Sequence, residues 1–158
     1  MTASVWVRPA RSGEAAALAG LAVRSKAHWG YDADFLVRAL PDLTVAPEAI
    51  DAGMVMVAED GGGVAGFAAL DQVGPGVFEV SGFFVAPERI GTGVGRFLFE
   101  AMAAHARKQG TPQEPASVLM IVSDPNAEEF YLRMGAIRVG EELVAVTGRS
   151  LPLLSYAL

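Results

Sequence analysis

The stretch that decides the fold is Phe83-Phe84-Val85-Ala86-Pro87, followed closely by Ile90-Gly91-Thr92-Gly93-Val94-Gly95-Arg96. The apolar residues before Ala86 are typical of a strand, and apolar residues from Val94 onward recur at helical spacing. The glycine turn, residues 90–96, therefore joins a strand to a helix. Glycines let a backbone take positive φ and approach an anion, and a helix start directs free N–H groups at it. The turn predicts a site for a phosphate-sized anion.

Spacing separates this turn from two better-known phosphate motifs. A dinucleotide-binding fingerprint needs a glycine three residues after Gly93, where this chain has Arg96. A Walker loop needs Gly-Lys and then Ser or Thr five residues after its first glycine, but Arg96-Phe97 stands at that distance from Gly91. Both nucleotide motifs are therefore excluded.

The rest of the chain predicts an α+β fold built around this turn. Before the turn we predict a strand at 4–9, a helix from an N-cap at Ser12 to about Lys26, a helix at 32–40 stopped by Pro41, a helical turn near Pro47, and strands at 54–58, 64–70 and 77–85. After it we predict a helix, a strand at 117–122, a helix capped by Asp124 with Pro125 in first position and ended by Gly135, and strands at 137–146 and 151–158.

The predicted order is β-α-α-β-β-β-α-β-α-β-β, a mixed, mostly antiparallel sheet of six to seven strands flanked by about four helices. The three strands before the glycine turn form an antiparallel meander, and the unit from Val77 to Val122 is the one parallel crossover. No repeat, low-complexity tract or linker divides the chain. We therefore expect one domain over residues 1–158.

The two motifs of this chain resemble those of the GNAT superfamily of acetyl-CoA-dependent N-acetyltransferases. The strand end and glycine turn quoted above resemble the family's pyrophosphate loop. Asp124-Pro125-Asn126-Ala127, followed by Phe130-Tyr131-Leu132-Arg133-Met134-Gly135-Ala136, resembles its C-terminal helix motif. The element order agrees over essentially the whole chain. One departure is Ile90, because the family usually has Gln or Arg directly before the first loop glycine; Arg89 lies one position earlier and Arg96 could supply charge.

The resemblance implies a donor site for acetyl-CoA between the strand at 77–85 and the strand at 117–122. The residues that it assigns to CoA binding are Phe83, Phe84, Val85, Gly91, Thr92, Gly93, Val94, Gly95, Arg96 and Asn126. The backbone at Phe83 and Val85 would bind the pantetheine arm, and Gly82 would permit a bulge that frees a polarising N–H.

Two side chains are the candidates for proton transfer. Tyr131 matches the family's tyrosine that protonates the departing thiolate, and its alternative role is that of a core aromatic. Glu79 alternates with Phe83 and Val85 along the strand, so it could accept the amine proton, directly or through water. The alternative for Glu79 is a glutamate that simply faces solvent.

The resemblance implies an acceptor site between the first two helices, where family members often line the acceptor pocket. His28, Trp29 and Tyr31 concentrate aromatic and polar groups there, and the two larger rings could hold a cationic amine against a π-face. The alternative is that these aromatics anchor a loop to the core. His105 falls on the apolar stripe of its helix, so we interpret it as structural.

Composition removes several classes of function. The chain has no cysteine and only two histidines, so we expect no thiolate metal site, no Cys nucleophile and no metal cofactor. Its net charge of −6 argues against nucleic-acid and anionic-membrane partners. No signal-like segment and no apolar run of spanning length is seen, so we expect a cytoplasmic protein.

The sequence predicts an enzyme that transfers acetyl from acetyl-CoA to a primary amine of a small molecule or peptide by direct attack on the thioester. The rivals are a non-catalytic acyl-CoA-binding module with this fold and a plain interaction domain. The acceptor, the length of the acyl group and the identity of the base stay open. The apolar final strands could pair across a two-fold axis, so a homodimer is also open.

Overall fold

The computed structural model describes residues 4–158 of the chain. Its strands are β1 (Trp6–Pro9), β2 (Val55–Asp60), β3 (Gly63–Gly74), β4 (Val77–Val85), β5 (Val118–Val122), β6 (Ile137–Val144) and β7 (Arg149–Ala157). Its α-helices are α1 (Ala15–Ala27), α2 (Ala33–Leu43), α3 (Pro47–Asp51), α4 (Val94–Gln109) and α5 (Glu128–Arg133), with a short 3₁₀ turn at Pro87–Arg89.

The strands form one seven-stranded sheet in the order β1-β2-β3-β4-β5-β7-β6. β4 and β5 pair in parallel, with Phe78 opposite Leu119, whereas β1 with β2, β2 with β3, β5 with β7 and β6 with β7 pair antiparallel. The predicted mixed, mostly antiparallel sheet and its element order are confirmed. The helical turn expected near Pro47 is the short helix α3, which makes five helices among the described residues.

The chain divides into two compact units. The first comprises the residues up to Ala69 together with Ser81–Met102, and the second comprises Leu70–Val80 together with Ala103–Leu158. The expectation of one domain over residues 1–158 stays a prediction.

The core of the first unit lies between its helices and one face of β2 and β3. Leu18 and Leu21 of α1 and Phe35 of α2 pack with Val57 of β2 and Phe67 of β3, and all five are buried. Fully burying such side chains contributes about 1.5–3 kcal/mol each. This packing holds the strand that leads into the glycine turn.

The core of the second unit lies along β4, β5 and β7. Phe78, Leu119, Ile121 and Leu154 are fully buried, and Ile121 is opposite Leu154 in the antiparallel β5–β7 register. Alternation along β5 puts Leu119 and Ile121 on one face, as the strand period requires. The strand predicted at 117–122 is therefore β5, with buried side chains alternating with half-buried ones.

Helix α1 starts later than its sequence indicates. Ser12 was expected to be the N-cap, but the helix begins at Ala15 after Glu14. The Glu14 carboxylate accepts a hydrogen bond from the Arg11 N–H and binds both terminal nitrogens of Arg8 at 2.8 and 2.9 Å. These contacts fix residues 11–14 as a separate turn, so the helix starts behind it.

Helix α2 passes through the proline that was expected to stop it. The side chain of Asp32 accepts the Phe35 N–H at 2.8 Å, and the helix runs on through Pro41 to Leu43. Proline has no backbone N–H to donate within a helix. Pro41 lies in the last turn of α2, so it disrupts few of the helix's hydrogen bonds. Leu43 is buried, which favours the three helical residues beyond the predicted end at residue 40.

Two further predictions are wrong in detail. Asp124 and Pro125 do not start α5, because Asp124 instead accepts the N–H and side-chain amide of Asn126 in a tight turn and the helix begins at Glu128. On α4, Phe97 is one of the apolar residues that recur at helical spacing after Val94, but it is 44% exposed. The buried face of that helix is formed by Val94, Leu98, Phe99, Met102, Ala103 and Ala106.

Candidate functional site

The glycine turn has the backbone geometry that an anion site requires. Gly91 and Gly93 have φ of +81° and +95°, values that residues with a side chain rarely adopt, and no atom lies within 4 Å of a Cβ built at either position. The Phe97 N–H donates to the Gly93 carbonyl at 3.1 Å, the first turn of α4. A helix leaves the N–H groups of its first turn without partners inside the helix, so these point out of its N-terminus. The turn is open, exposed and rich in donors.

The cations around the turn have different surroundings. Arg96 is 76% exposed and hydrogen-bonds Glu100 at 3.1 Å along one face of α4. Arg89 is mostly covered and binds Asp60 at 2.7 Å. Arg96 is therefore the solvent-accessible cation of the two, in line with the charge that it was expected to supply in place of Ile90.

The two aromatic residues at the end of β4 pack differently, since Phe84 lies against the core of the first unit and Phe83 contacts Phe99 of α4. Phe84 packs against Phe67 with ring centroids 5.6 Å apart, and Phe83 meets Phe99 edge to face at 6.3 Å. A Cβ at the buried Gly82 would contact the rings of both Phe67 and Phe84. The side chains fix the strand, so a ligand could use the backbone of Phe83 and Val85.

Tyr131 lies on α5 in the second unit and is 5% exposed. Its ring meets Phe130 edge to face at 5.3 Å. Burial, and secondarily the charge of Asp124, raise the pKa of the Tyr131 phenol above its ordinary value. The phenol is therefore a neutral hydrogen donor throughout the physiological range. The neighbouring Asn126 is exposed in the turn before the helix, where it donates to Asp124.

Glu79 is half-buried on β4, opposite Met120 of β5. Burial, then the charges of Glu142 and Asp71, raise the pKa of the Glu79 carboxyl above its ordinary value. A carboxylate with a raised pKa accepts a proton more readily, which suits a general base. Glu79 is thus not a purely solvent-facing glutamate.

In the aromatic segment after α1, the ring of Trp29 is partly exposed, whereas the ring of Tyr31 packs against Phe35. Trp29 is 43% exposed and meets His28 edge to face at 5.0 Å. Tyr31 stacks on Phe35 at 4.3 Å, and the Lys26 ammonium lies 5.2 Å from its ring centroid. The ring of Tyr31 therefore packs against the core and lies near a cation of this chain, whereas Trp29 contacts His28 and stays 43% exposed.

The predicted residues fall into two groups. The glycine turn, the end of β4 and the segment with His28, Trp29 and Tyr31 lie in the first unit, whereas Glu79, Asn126 and Tyr131 lie in the second. Sequence reasoning missed the pairing of Asp60 with Arg89. The only sequence signal was an arginine next to the turn, because nothing local indicates a partner 29 positions away.

Within residues 4–158, no group of three or more histidine, aspartate or glutamate side chains could hold a metal ion. None of the helices that the structure describes is long and apolar enough to cross a membrane.

The comparisons with known proteins agree with this geometry. Residues 51–135 match the family model described as an acetyltransferase (GNAT) domain. No match was found among curated protein sequences.

Among solved structures, a GCN5-related N-acetyltransferase from Rhodopseudomonas palustris is similar, with TM-score 0.74, 23% identity and coverage of 100% of this chain and 99% of that one. The PaiA N-acetyltransferase from Thermoplasma acidophilum in complex with coenzyme A has TM-score 0.78 and 13% identity, and 98% and 99% of the two chains are covered. N-acetylglutamate synthase from Neisseria gonorrhoeae, complexed with coenzyme A and N-acetyl-glutamate, has TM-score 0.71 and 22% identity. All of this chain is covered there, but only 36% of that longer one.

Proposed function

Because this chain belongs to the GNAT family of acetyltransferases, we propose that it transfers an acetyl group from acetyl-CoA to a primary amine of a small molecule or peptide. The observation that carries the proposal is the glycine turn. Gly91 and Gly93 take positive φ in open space directly before the sixteen-residue helix α4. A diphosphate suits such donors, since backbone N–H groups and the helix dipole both favour an anion there.

The donor is bound mainly through backbone. The residues of the turn that we assign to the pyrophosphate are Gly91, Thr92, Gly93, Val94, Gly95 and Arg96. The backbone of Phe83, Phe84 and Val85 and the amide of Asn126 contact the pantetheine arm. The fold neighbours from T. acidophilum and N. gonorrhoeae are CoA complexes, which supports CoA as the donor carrier here.

The transfer step is a direct attack of the neutral amine on the thioester carbonyl. A C–N bond forms, the C–S bond breaks, and the sulfur leaves with the electron pair. Glu79 accepts the proton that the amine loses, since its raised pKa makes it a stronger base than an ordinary carboxylate. Tyr131 donates a proton to the sulfur, because its buried phenol is neutral when the thiolate forms.

The acceptor is bound by the segment between α1 and α2. Trp29 offers an exposed π-face for a cationic amine, and His28 packs against its edge. Tyr31 contributes by fixing the segment to Phe35. A net charge of −6 favours a positively charged acceptor in the encounter.

The proposal is tested by amine-dependent release of free CoA thiol. Purified protein is incubated with acetyl-CoA and a panel of polyamines, amino acids, aminoglycosides and peptides, with acetyl-, propionyl- and butyryl-CoA compared on any acceptor found. We expect thiol release that requires both the donor and one class of amine. Tight CoA binding without release on any amine would contradict the proposal and favour a non-catalytic CoA-binding module.

A further inference from the structure

A bidentate ion pair ties the segment before the glycine turn to the β2–β3 hairpin. The Arg89 Nη2 lies 2.7 Å from Asp60 Oδ1, and its Nε lies 3.0 Å from Oδ2. The two side chains are only 18% and 10% exposed, which sets this pair apart from the exposed Arg96–Glu100 pair nearby. An Arg–carboxylate pair is strongest when two parallel hydrogen bonds join the groups and both side chains are covered from solvent.

The hairpin is shaped to receive this guanidinium. The Gly62 N–H donates to Asp60 Oδ1 at 2.8 Å, which orients the carboxylate. A Cβ at Gly62 would come 2.5 Å from Arg89 Nη2, closer than side chains tolerate. Gly62 is not among the glycines with positive φ, so its backbone does not demand glycine. Glycine is needed at this position because a side chain would occupy the space of the Arg89 guanidinium.

The backbone of the same arginine starts the glycine turn. Its carbonyl accepts the Thr92 N–H at 3.2 Å and the Thr92 hydroxyl at 2.5 Å, and its own N–H donates to Ala86 at 2.8 Å. Arg89 is thus fixed to the hairpin by its side chain while its carbonyl sets the path of the next three residues. Displacing the side chain should therefore loosen the turn.

The charge of Arg89 is already matched by carboxylates. Besides Asp60, Glu88 binds its Nη1 at 3.0 Å. The Arg89 hydrogen bond, and then the Gly62 N–H, hold the pKa of the Asp60 carboxyl below its usual range, so the pair stays ionised at neutral pH. A direct contact of Arg89 with a phosphate would have to break the two-pronged pair.

We propose that the Asp60–Arg89 pair, seated over Gly62, is a positioning device that holds the glycine turn in the conformation that binds the CoA pyrophosphate. Arg89 acts through its backbone and does not touch the phosphate. The inference rests on the proposed function, because it assigns these residues to the donor site of that reaction.

Two variants displace the pair in different ways. Asp60→Asn removes the charge partner, and Gly62→Ala pushes the guanidinium away without changing any charge. Titration calorimetry with CoA should show a Kd raised roughly tenfold for each variant, the size of one lost positioning contact. With pantetheine, which lacks the pyrophosphate, wild type and variants should bind alike. In steady-state assays the KM for acetyl-CoA should rise while kcat changes little.

Glu141→Gln is the matched control, because it makes the same charge change in an exposed ion pair of 2.9 Å with Arg138. It should leave the Kd for CoA unchanged. If Asp60→Asn binds CoA more tightly, Arg89 contacts the phosphate directly and the inference is wrong. Equal CoA affinity of wild type and both variants also overturns it. If wild type itself fails to bind CoA, the proposed function fails first.

Discussion

At the scale of single residues, Tyr131 is the side chain whose environment most clearly fits a chemical role. A hydroxyl is buried on α5 in a position where its ionised form is disfavoured both by burial and by Asp124. Such a phenol cannot be a base at neutral pH, but it can donate to a sulfur on which negative charge develops. We therefore propose that it acts as the acid for the leaving group.

Replacing Tyr131 by Phe should lower kcat about 100-fold, since general acid catalysis contributes on the order of 10²–10⁴. The KM for acetyl-CoA should change much less, because the ring is retained. Thiol release at saturating acceptor measures both constants. Tyr156→Phe removes another tyrosine hydroxyl of the second unit and serves as the control with unchanged kcat. Wild-type kcat in Tyr131→Phe would show that the tyrosine is only a packing residue.

The proposed role of Glu79 predicts the direction in which kcat/KM changes with pH. As a base it works only when ionised, so kcat/KM should fall as pH decreases through its raised pKa, which lies above the ordinary value of 4.5. Glu79→Gln should be slow at all pH values and should lack this limb. A pH–rate profile measures both. An unchanged limb in the variant would assign it to another group.

The same shift predicts a stability difference. Because the folded state raises the pKa of Glu79, its charged form is less favourable folded than unfolded. Glu79→Gln should therefore be more stable than wild type at neutral pH, and the difference should vanish once the pH falls below the ordinary carboxyl pKa. Thermal melts at pH 7 and pH 4 test this. A less stable variant at pH 7 would contradict the raised pKa.

At the scale of elements, the start of α1 depends on a charge cluster that joins it to the sheet. Arg8 of β1 binds Glu14 before α1 and Glu59 of β2 at 2.8 and 3.2 Å. The Arg8 hydrogen bonds lower the pKa of Glu14 to about 2 from 4.5. The cluster therefore stabilises the junction of β1, β2 and α1 whenever the carboxylates are ionised.

Glu14→Gln should lower the melting temperature at pH 7 by roughly 3 °C, from a loss of about 1 kcal/mol for a partly exposed charged hydrogen-bond set. The contribution of Glu14 is fully present above pH 4.5 and is lost as pH falls toward its folded pKa of about 2. Wild type and variant should therefore converge in acid. Melts between pH 2 and pH 7 measure the difference, and a gap that persists at pH 2 would mean that packing causes it.

The sequence indicates the type of each element better than its ends. Strand β4 matches its predicted bounds at 77–85, because Gly76 precedes it and Ala86-Pro87 follows it. Where a side chain makes a contact that sequence cannot show, the prediction fails. Glu14 bonds Arg8 and delays α1, and Asp124 bonds Asn126 and delays α5. The burial of Leu43 carries α2 beyond Pro41.

At the scale of the whole molecule, a specific ligand of the native state should stabilise the chain. CoA at about 100 times its Kd should add roughly 2.7 kcal/mol, or about 5–10 °C in melting temperature. Pantetheine at the same concentration should raise the melting temperature less, because it lacks the pyrophosphate that the glycine turn binds. Differential scanning calorimetry measures both. Equal shifts for the two ligands would contradict a pyrophosphate site.

The fold could be predicted for the whole chain, whereas the site could be predicted only as a set of motifs. The glycine turn and the segment with Tyr131 are local patterns, so sequence alone places them on their elements. The raised pKa of Glu79 depends on Asp71 and Glu142, and the pairing of Arg89 with Asp60 joins separate segments. Such long-range contacts depend on the fold and cannot be predicted from a single sequence.

The central claim is that the glycine turn before α4 binds the CoA pyrophosphate. A crystal structure of the protein with CoA tests it most directly. The prediction is that phosphate oxygens lie about 3 Å from backbone N–H groups of residues 91–96, within hydrogen-bond distance, with the Arg89 side chain still on Asp60. CoA bound with its pyrophosphate away from Gly91 and Gly93 would contradict the claim.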